Sequence, residues 1–160
     1  MTRPEAVERV AGFLFDAKVE ARVEEFRSGT PTAEDAARAV GCELEQIVKS
    51  LVFVCDGRAL LVLVPGDRRA DRSKIAAEAG CRRVKVASAE EVVQATGFEP
   101  GGVAPFPLVA VEAVLVERSL LTHEVVWVGA GSSRHLAALA PADLVRLTRA
   151  RTVDAVEPST

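Results

Sequence analysis

Residues 46–66, QIVKSLVFVCDGRALLVLVPG, decide how this chain is organised. Two Val- and Leu-rich runs flank Asp56-Gly57, a dipeptide that suits a two-residue hairpin turn needing positive φ. With that turn, Cys55 faces Arg58, Phe53 faces Leu60, Leu51 faces Val62 and Lys49 faces Val64. Cross-strand partners share a face, so one face reads Ile47, Lys49, Leu51, Phe53 against Leu60, Val62, Val64. The other reads Val48, Ser50, Val52, Val54 against Ala59, Leu61, Leu63. Both faces are apolar, as in a central strand pair covered on both sides. Lys49 is the exception, a cation on a greasy face. It is either a strand-end lysine whose stem packs while its ammonium reaches water, or a partly desolvated ammonium poised over an anion or a polarised oxygen.

The surrounding composition is that of one well-cored domain. The chain has 160 residues, 49% of them hydrophobic, with a net charge of −3. It is long enough to bury a core without staples. The acidic balance excludes a generally cationic nucleic-acid binder. The charge is uneven, however. Arg68, Arg69, Arg72 and Lys74 follow the hairpin, and Arg82, Arg83 and Lys85 come soon after; each cluster is either a solvated face or a phosphate contact. Three cysteines, Cys42, Cys55 and Cys81, are widely spaced with no C-x-x-C pair. Cys55 reads as a small buried hydrophobe, which suggests a reducing cytoplasm and argues against a cysteine zinc site. Glu5, Glu8 and Arg9 near the start exclude a signal peptide, and no run approaches the about 18–20 apolar residues of a membrane span.

Outward from the hairpin, apolar residues at Val7, Val10, Ala11, Leu14 and Phe15 predict a helix within 4–18. Residues 19–26 alternate as a half-buried strand. Thr32 is an N-cap for an Ala-rich helix that ends at Gly41, and 43–46 form one helical turn. Beyond Gly66 the pattern predicts a helix over 71–80, a strand over 83–86 and a helix over 88–96. The Gly/Pro-rich 97–107 is irregular. Strands are expected over 108–116, 125–129 and 134–140, a helix over 142–149 opened by Pro141, and a frayed tail from 153 to 160 after a domain spanning 1–152. The whole is a mixed α/β domain with several antiparallel pairings.

Familiar catalytic signatures are missing: no P-loop, no G-x-G-x-x-G after a strand, no H-E-x-x-H and no G-x-S-x-G. Two loops remain. Gly101-Gly102-Val103-Ala104-Pro105 has glycines that let backbone approach a ligand and prolines that stiffen its exit. Fixed amides of this kind serve a carbonyl that develops negative charge; the plainer reading is a tight connection. Gly129-Ala130-Gly131-Ser132-Ser133 is a flexible strand end with hydroxyls, followed by Arg134-His135.

Together, TAEDAA at 32–37, QIVKSLVF, LVLVPGDRRAD, TGFEPGGVAPF, VGAGSSRH and DLVRL resemble the YbaK/ProX-type aminoacyl-tRNA editing family over roughly residues 20–150. The resemblance implies a single α/β domain with a curved, barrel-like, mostly antiparallel sheet flanked by helices. It implies hydrolysis of the ester of wrongly charged tRNA, acting in trans because the chain carries no synthetase domains. On the matching positions, Lys49 is the family's essential lysine. Gly101 to Pro105 is its G-x-x-x-P loop, with Gly101 catalytic and Gly102, Val103 and Pro105 on the substrate. Gly131, Ser132, Ser133 and His135 fall in the segment lining the amino-acid pocket. No metal or other cofactor is implied. The partners would be the acceptor end of aminoacyl-tRNA and prolyl-tRNA synthetase, in the cytoplasm and away from membranes. A small aminoacyl group, alanyl or cysteinyl on proline tRNA, is the expected substrate. The alternatives are a non-catalytic module that binds aminoacyl-tRNA or the synthetase, and an esterase of small molecules.

Overall fold

In the computed structural model, which describes residues 3–27 and 29–158, the central hairpin forms as the turn chemistry demands. β2 (Val48–Cys55) and β3 (Arg58–Pro65) pair antiparallel, with Cys55 opposite Arg58 and Lys49 opposite Val64. Asp56 and Gly57 take φ of 50° and 85° at the turn. Positive φ at both turn positions gives the turn a twist that matches the right-handed twist of the flanking strands.

The strands lie in two sheets, neither closed on itself. In the five-stranded sheet the order is β4 (Val84–Val86), β2, β3, β5 (Ala113–Glu117), β8 (Arg151–Val153). β5 runs parallel to β3, and β8 parallel to β5. The three-stranded antiparallel sheet runs β1 (Arg22–Glu25), β7 (His135–Leu139), β6 (Val126–Gly129). A bridge between Ile47 and Trp127 joins the two sheets beside the start of β2. The mixed α/β single domain, mostly antiparallel, is therefore as expected.

The helices obey their caps. α1 is Glu5–Asp16 and α2 is Ala33–Val40, the latter started by the Thr32 hydroxyl accepting from the Asp35 amide and stopped by Gly41 at φ 74°. α3 (Arg72–Ala79) is capped by Asp71, and α4 (Ala89–Thr96) by a reciprocal Ser88–Glu91 box. α5 is Pro141–Thr148. Side-chain alternation along the hairpin feeds two cores. Val48, Val52, Leu61 and Leu63 pack with α1, β6, β7 and α5, while Phe53, Leu60, Val62 and Val64 pack with Ile75 of α3 and the tail. None of the helices among the described residues is long and apolar enough to cross a membrane.

Three expectations are corrected. The strand expected over 108–116 exists only from Ala113. Residues before it fold back onto the end of α4, where the Val109 and Ala110 amides donate to the Ala95 carbonyl at 3.3 and 2.8 Å. The tail does not fray where expected: Val153, Ala155 and Val156 are buried, and the Ala155 amide donates to the buried Glu117 carboxylate at 3.1 Å. Only 159–160 of that segment lie outside the described residues. Finally, Cys55 is buried but not a free thiol. Pairing of β2 with β4 brings Cys81, just ahead of β4, within 5.8 Å Cα to Cα, and the two form a disulfide. Cys42 is the free cysteine.

Candidate active site

Between the Ile47–Trp127 bridge and β4, the side of β2 away from β3 has a short open edge. Pro65 has no N–H, so Val48 and Pro65 cannot exchange a pair of hydrogen bonds; the hydrogen-bonded pairs are Lys49–Val64, Leu51–Val62 and Phe53–Leu60. By the same two-residue period the amides and carbonyls of Ser50 and Val52 point away from β3. β4 reaches only Phe53–Cys55, and the Ala87 amide takes the Val52 carbonyl at 3.1 Å. Ser50 is left without a neighbouring strand. Its hydroxyl is also buried with no hydrogen-bond partner among the described residues. The edge beside Lys49 thus carries unused polar groups.

Across this edge lies a cavity of about 310 Å³. Its walls are Ile47 and residues 48–51 of β2, the Thr30–Ala33 segment leading into α2, Gly101 and Val103 of the Gly/Pro loop, and Gly129, Ser132 and Leu136 from the β6–β7 region. Two close approaches hold these pieces together. A Cβ on Gly129 would lie 2.3 Å from the Val103 carbonyl oxygen, and one on Gly102 would lie 2.9 Å from the Ser132 Cα. Only glycine lets these two loops touch so closely. The Ser133 carbonyl accepts from the Thr30 amide at 2.8 Å and from its hydroxyl at 3.1 Å, which ties the α2 entry to the β6–β7 loop.

Lys49 is half-buried at one end of the cavity. Its ammonium donates to the Arg68 carbonyl at 2.7 Å. Desolvation draws its pKa below the ordinary lysine value; the Glu34 and Asp67 carboxylates oppose that shift, and Arg69 adds to it. The ammonium is thus partly desolvated and lies at the cavity.

The Gly101 loop presents fewer amides than its length suggests. Gly102 N–H is committed to the Glu99 carbonyl at 3.0 Å. The amides of Gly101 and Val103 have no partner among the described residues, and both residues line the cavity. Gly101 needs its glycine for φ of 90°.

The residues singled out from the sequence therefore divide. Lys49, Gly101, Val103 and Ser132 meet at the cavity. Gly102 is packed behind it against Ser132. Pro105 is buried on the opposite side, in a separate recess shared with Phe13. Gly131 sits at φ 105° with its α-carbon against the main chain of Ala6 and Val7 in α1, where no side chain fits. Ser133 is exposed and contributes its carbonyl alone. His135 is 3% exposed and lies behind Ser132, with Nδ1 2.6 Å from the Ser132 hydroxyl and Nε2 3.4 Å from a Glu25 carboxylate oxygen. Its burial lowers its pKa, with Glu25 pulling the other way. A neutral ring accepting at Nδ1 and directing Nε2–H at Glu25 satisfies both contacts. His135 thus orients Ser132. The Thr30–Ala33 wall, Ala36 and the Ser50 edge were not legible as site residues. The Gly29–Pro31 turn and the Thr32 cap mark a helix start, but nothing in their spacing places them against residues a hundred positions away.

Among the described residues no His, Cys, Asp and Glu side chains cluster as a metal site.

Comparison with known proteins agrees with this architecture. The chain is 34% identical over 123 residues to the uncharacterized protein YwhH of Bacillus subtilis (strain 168), covering 76% of this chain and 78% of that protein. It is 34% identical over 92 residues to the proline–tRNA ligase of Citrifermentans bemidjiense, which is 58% of this chain but only 16% of that enzyme. A crystal structure described as a candidate trans-editing enzyme for prolyl-tRNA synthetase superimposes with a TM-score of 0.91 at 37% identity, covering 98% of this chain and 100% of that one. The family model for the aminoacyl-tRNA editing domain matches residues 27–147, so the chain belongs to the aminoacyl-tRNA editing domain family.

Proposed function

We propose that this protein is a trans-editing deacylase: it hydrolyses the ester between a small amino acid, alanyl or cysteinyl, and the terminal ribose of proline tRNA. The observation that carries this reading is the meeting of a partly desolvated Lys49 ammonium with the free amides of Gly101 and Val103 around one cavity. Family membership and the similarity to a segment of proline–tRNA ligases support the choice of substrate.

An aminoacyl ester is already activated, so positioning and oxyanion stabilisation do most of the work. Water attacks the ester carbonyl, the amides of Gly101 and Val103 receive the developing oxyanion, and the ribose hydroxyl leaves as the acyl bond breaks. Gly102 takes no part as a donor, since its amide is spent on Glu99. Lys49 anchors the terminal nucleotide beside the carbonyl. Among the described residues the cavity lining holds no carboxylate or imidazole, so the neighbouring ribose 2′-hydroxyl positions the water. Ala33, Ala36, Ile47 and Leu136 give the cavity apolar walls suited to a small side chain. A steric sieve meets a real need, because fit alone gives a synthetase only about 1–3 kcal/mol per methylene.

The test is deacylation of alanyl-, cysteinyl- and seryl-tRNA for proline, with prolyl-tRNA as control, by wild type and Lys49→Ala. Hydrolysis of one mischarged species, spared prolyl-tRNA and loss of rate in the variant are the expected results. Binding of tRNA without hydrolysis of any member would overturn the enzyme reading in favour of a binding module.

A further inference from the structure

The editing reading leaves a physical question: where the polynucleotide goes once its terminal ester sits in the cavity. A second recess of about 530 Å³ adjoins the first through Lys49, which lines both. Its other walls include Phe53 and Val86 of the β2–β4 pair, Arg69, and Arg72 at the start of α3.

The basic clusters legible in the sequence do not all face this recess, and three of their side chains are already engaged. The Arg68 guanidinium donates to the Glu157 carbonyl. Lys74 is held by the Asp154 carboxylate at 2.9 Å and the Val156 carbonyl at 2.8 Å. Lys85 lies 3.9 Å from Glu91. The main chain of Arg82 and Arg83 is pinned by the Asp56 carboxylate at the hairpin turn, about 20 Å along the strand from Lys49. The Arg82 and Arg83 guanidinia are exposed and unpaired among the described residues as well, but they lie outside the recess; Arg69 and Arg72 differ in lining it. Both are exposed, both line the recess, and neither guanidinium has a hydrogen bond or ion pair among the described residues. Arg69 is close enough to Lys49 to disfavour its charge. Like charges gathered at one recess, with neither guanidinium ion-paired among the described residues, suit a polyanion.

We propose that this recess carries the phosphodiester backbone of the single-stranded 3′ end of the RNA, with Arg69 and Arg72 as its phosphate contacts and Lys49 at the junction with the ester cavity. The proposal rests on the editing reading for its ligand. Of the two carboxylates at the recess, Asp71 is occupied in accepting the Ser73 and Lys74 amides at 3.0 and 3.1 Å. Glu157 is exposed at the rim and opposes the bound phosphates.

The experiment measures the affinity of the full chain for uncharged proline tRNA, and for a single-stranded oligoribonucleotide ending in CCA, over a range of salt concentrations. Arg69→Ala/Arg72→Ala is expected to weaken both about 10–100-fold, with a log–log salt slope shallower by about 1.4, near 0.7 for each single-strand phosphate lost. Glu157→Gln is expected to tighten both. Arg82→Ala/Arg83→Ala is the control and should stay within about twofold of wild type. Unchanged affinity and slope in the Arg69/Arg72 variant, or an equal loss in the control, would overturn the proposal. The two readings fail separately. A wild type that binds through Arg69 and Arg72 yet hydrolyses nothing keeps the groove and removes the deacylase. A wild type that edits with affinity indifferent to these arginines does the reverse.

Discussion

The Lys49 ammonium on β2 donates to the Arg68 carbonyl at 2.7 Å, so a strand residue clasps the loop that follows the neighbouring strand. That contact positions the cation at the mouth of the cavity, while desolvation makes holding its charge harder. Deacylation that needs the ammonium should therefore decline on the alkaline side at a pH below the ordinary lysine value of about 10.4. Single-turnover rates, corrected for uncatalysed ester hydrolysis, will show it. The same shift works against folding. A lysine whose folded pKa is depressed binds fewer protons folded than unfolded, so its cost is present at neutral pH and is relieved as pH rises through that window. Lys49→Met, which keeps the stem, is expected to lose about 100-fold or more in rate without a lower Tm.

Gly129 makes room for the Val103 carbonyl at a distance no β-carbon tolerates. Gly129→Ala must push the 101–103 loop off the cavity. The expected loss of rate is about 10–100-fold, since small displacements of positioning groups are costly. An overpacking penalty of about 1–3 kcal/mol should accompany it, readable as a lower midpoint in urea.

His135 is buried and neutral behind Ser132. Its folded pKa is depressed, so the unfolded chain takes up a proton first as the pH falls below about 6.5. The stability that His135 contributes is thus complete above that pH and lost on acidification. His135→Gln should flatten the fall in urea midpoint between about pH 6.5 and 5 relative to wild type. An equally steep fall in the variant would place the acid sensitivity elsewhere.

The Cys55–Cys81 bond closes a loop with a sequence separation of 26 at the hairpin end remote from the cavity. Thiol titration of the denatured, unreduced protein should find Cys42 alone, and the reduced protein all three cysteines. Cys81→Ser should cost about 2–4 kcal/mol, roughly a 5–15 °C fall in Tm for a chain of this size. Deacylation at 25 °C should not change.

What the sequence determined by itself was local. Asp56-Gly57 specified a turn, the turn specified the register, and alternation then sent Lys49 to one face and Ser50 to the other. Thr32 and Gly41 bounded a helix because their signals act within a few residues. The motif resemblance identified Lys49 and the Gly101 loop. Tertiary structure decided everything that depends on distant segments meeting. Val109 and Ala110 were diverted onto the end of α4, residues 151–153 became a strand because β5 offered them an edge, and the tail beyond stays packed with its Ala155 amide on Glu117. Cys81 met Cys55 only when β4 docked on β2. The cavity itself has no sequence signature. It exists because β4 is too short to reach Ser50, and because two glycines let the 101–103 loop and the β6–β7 loop pack together beside that uncovered edge.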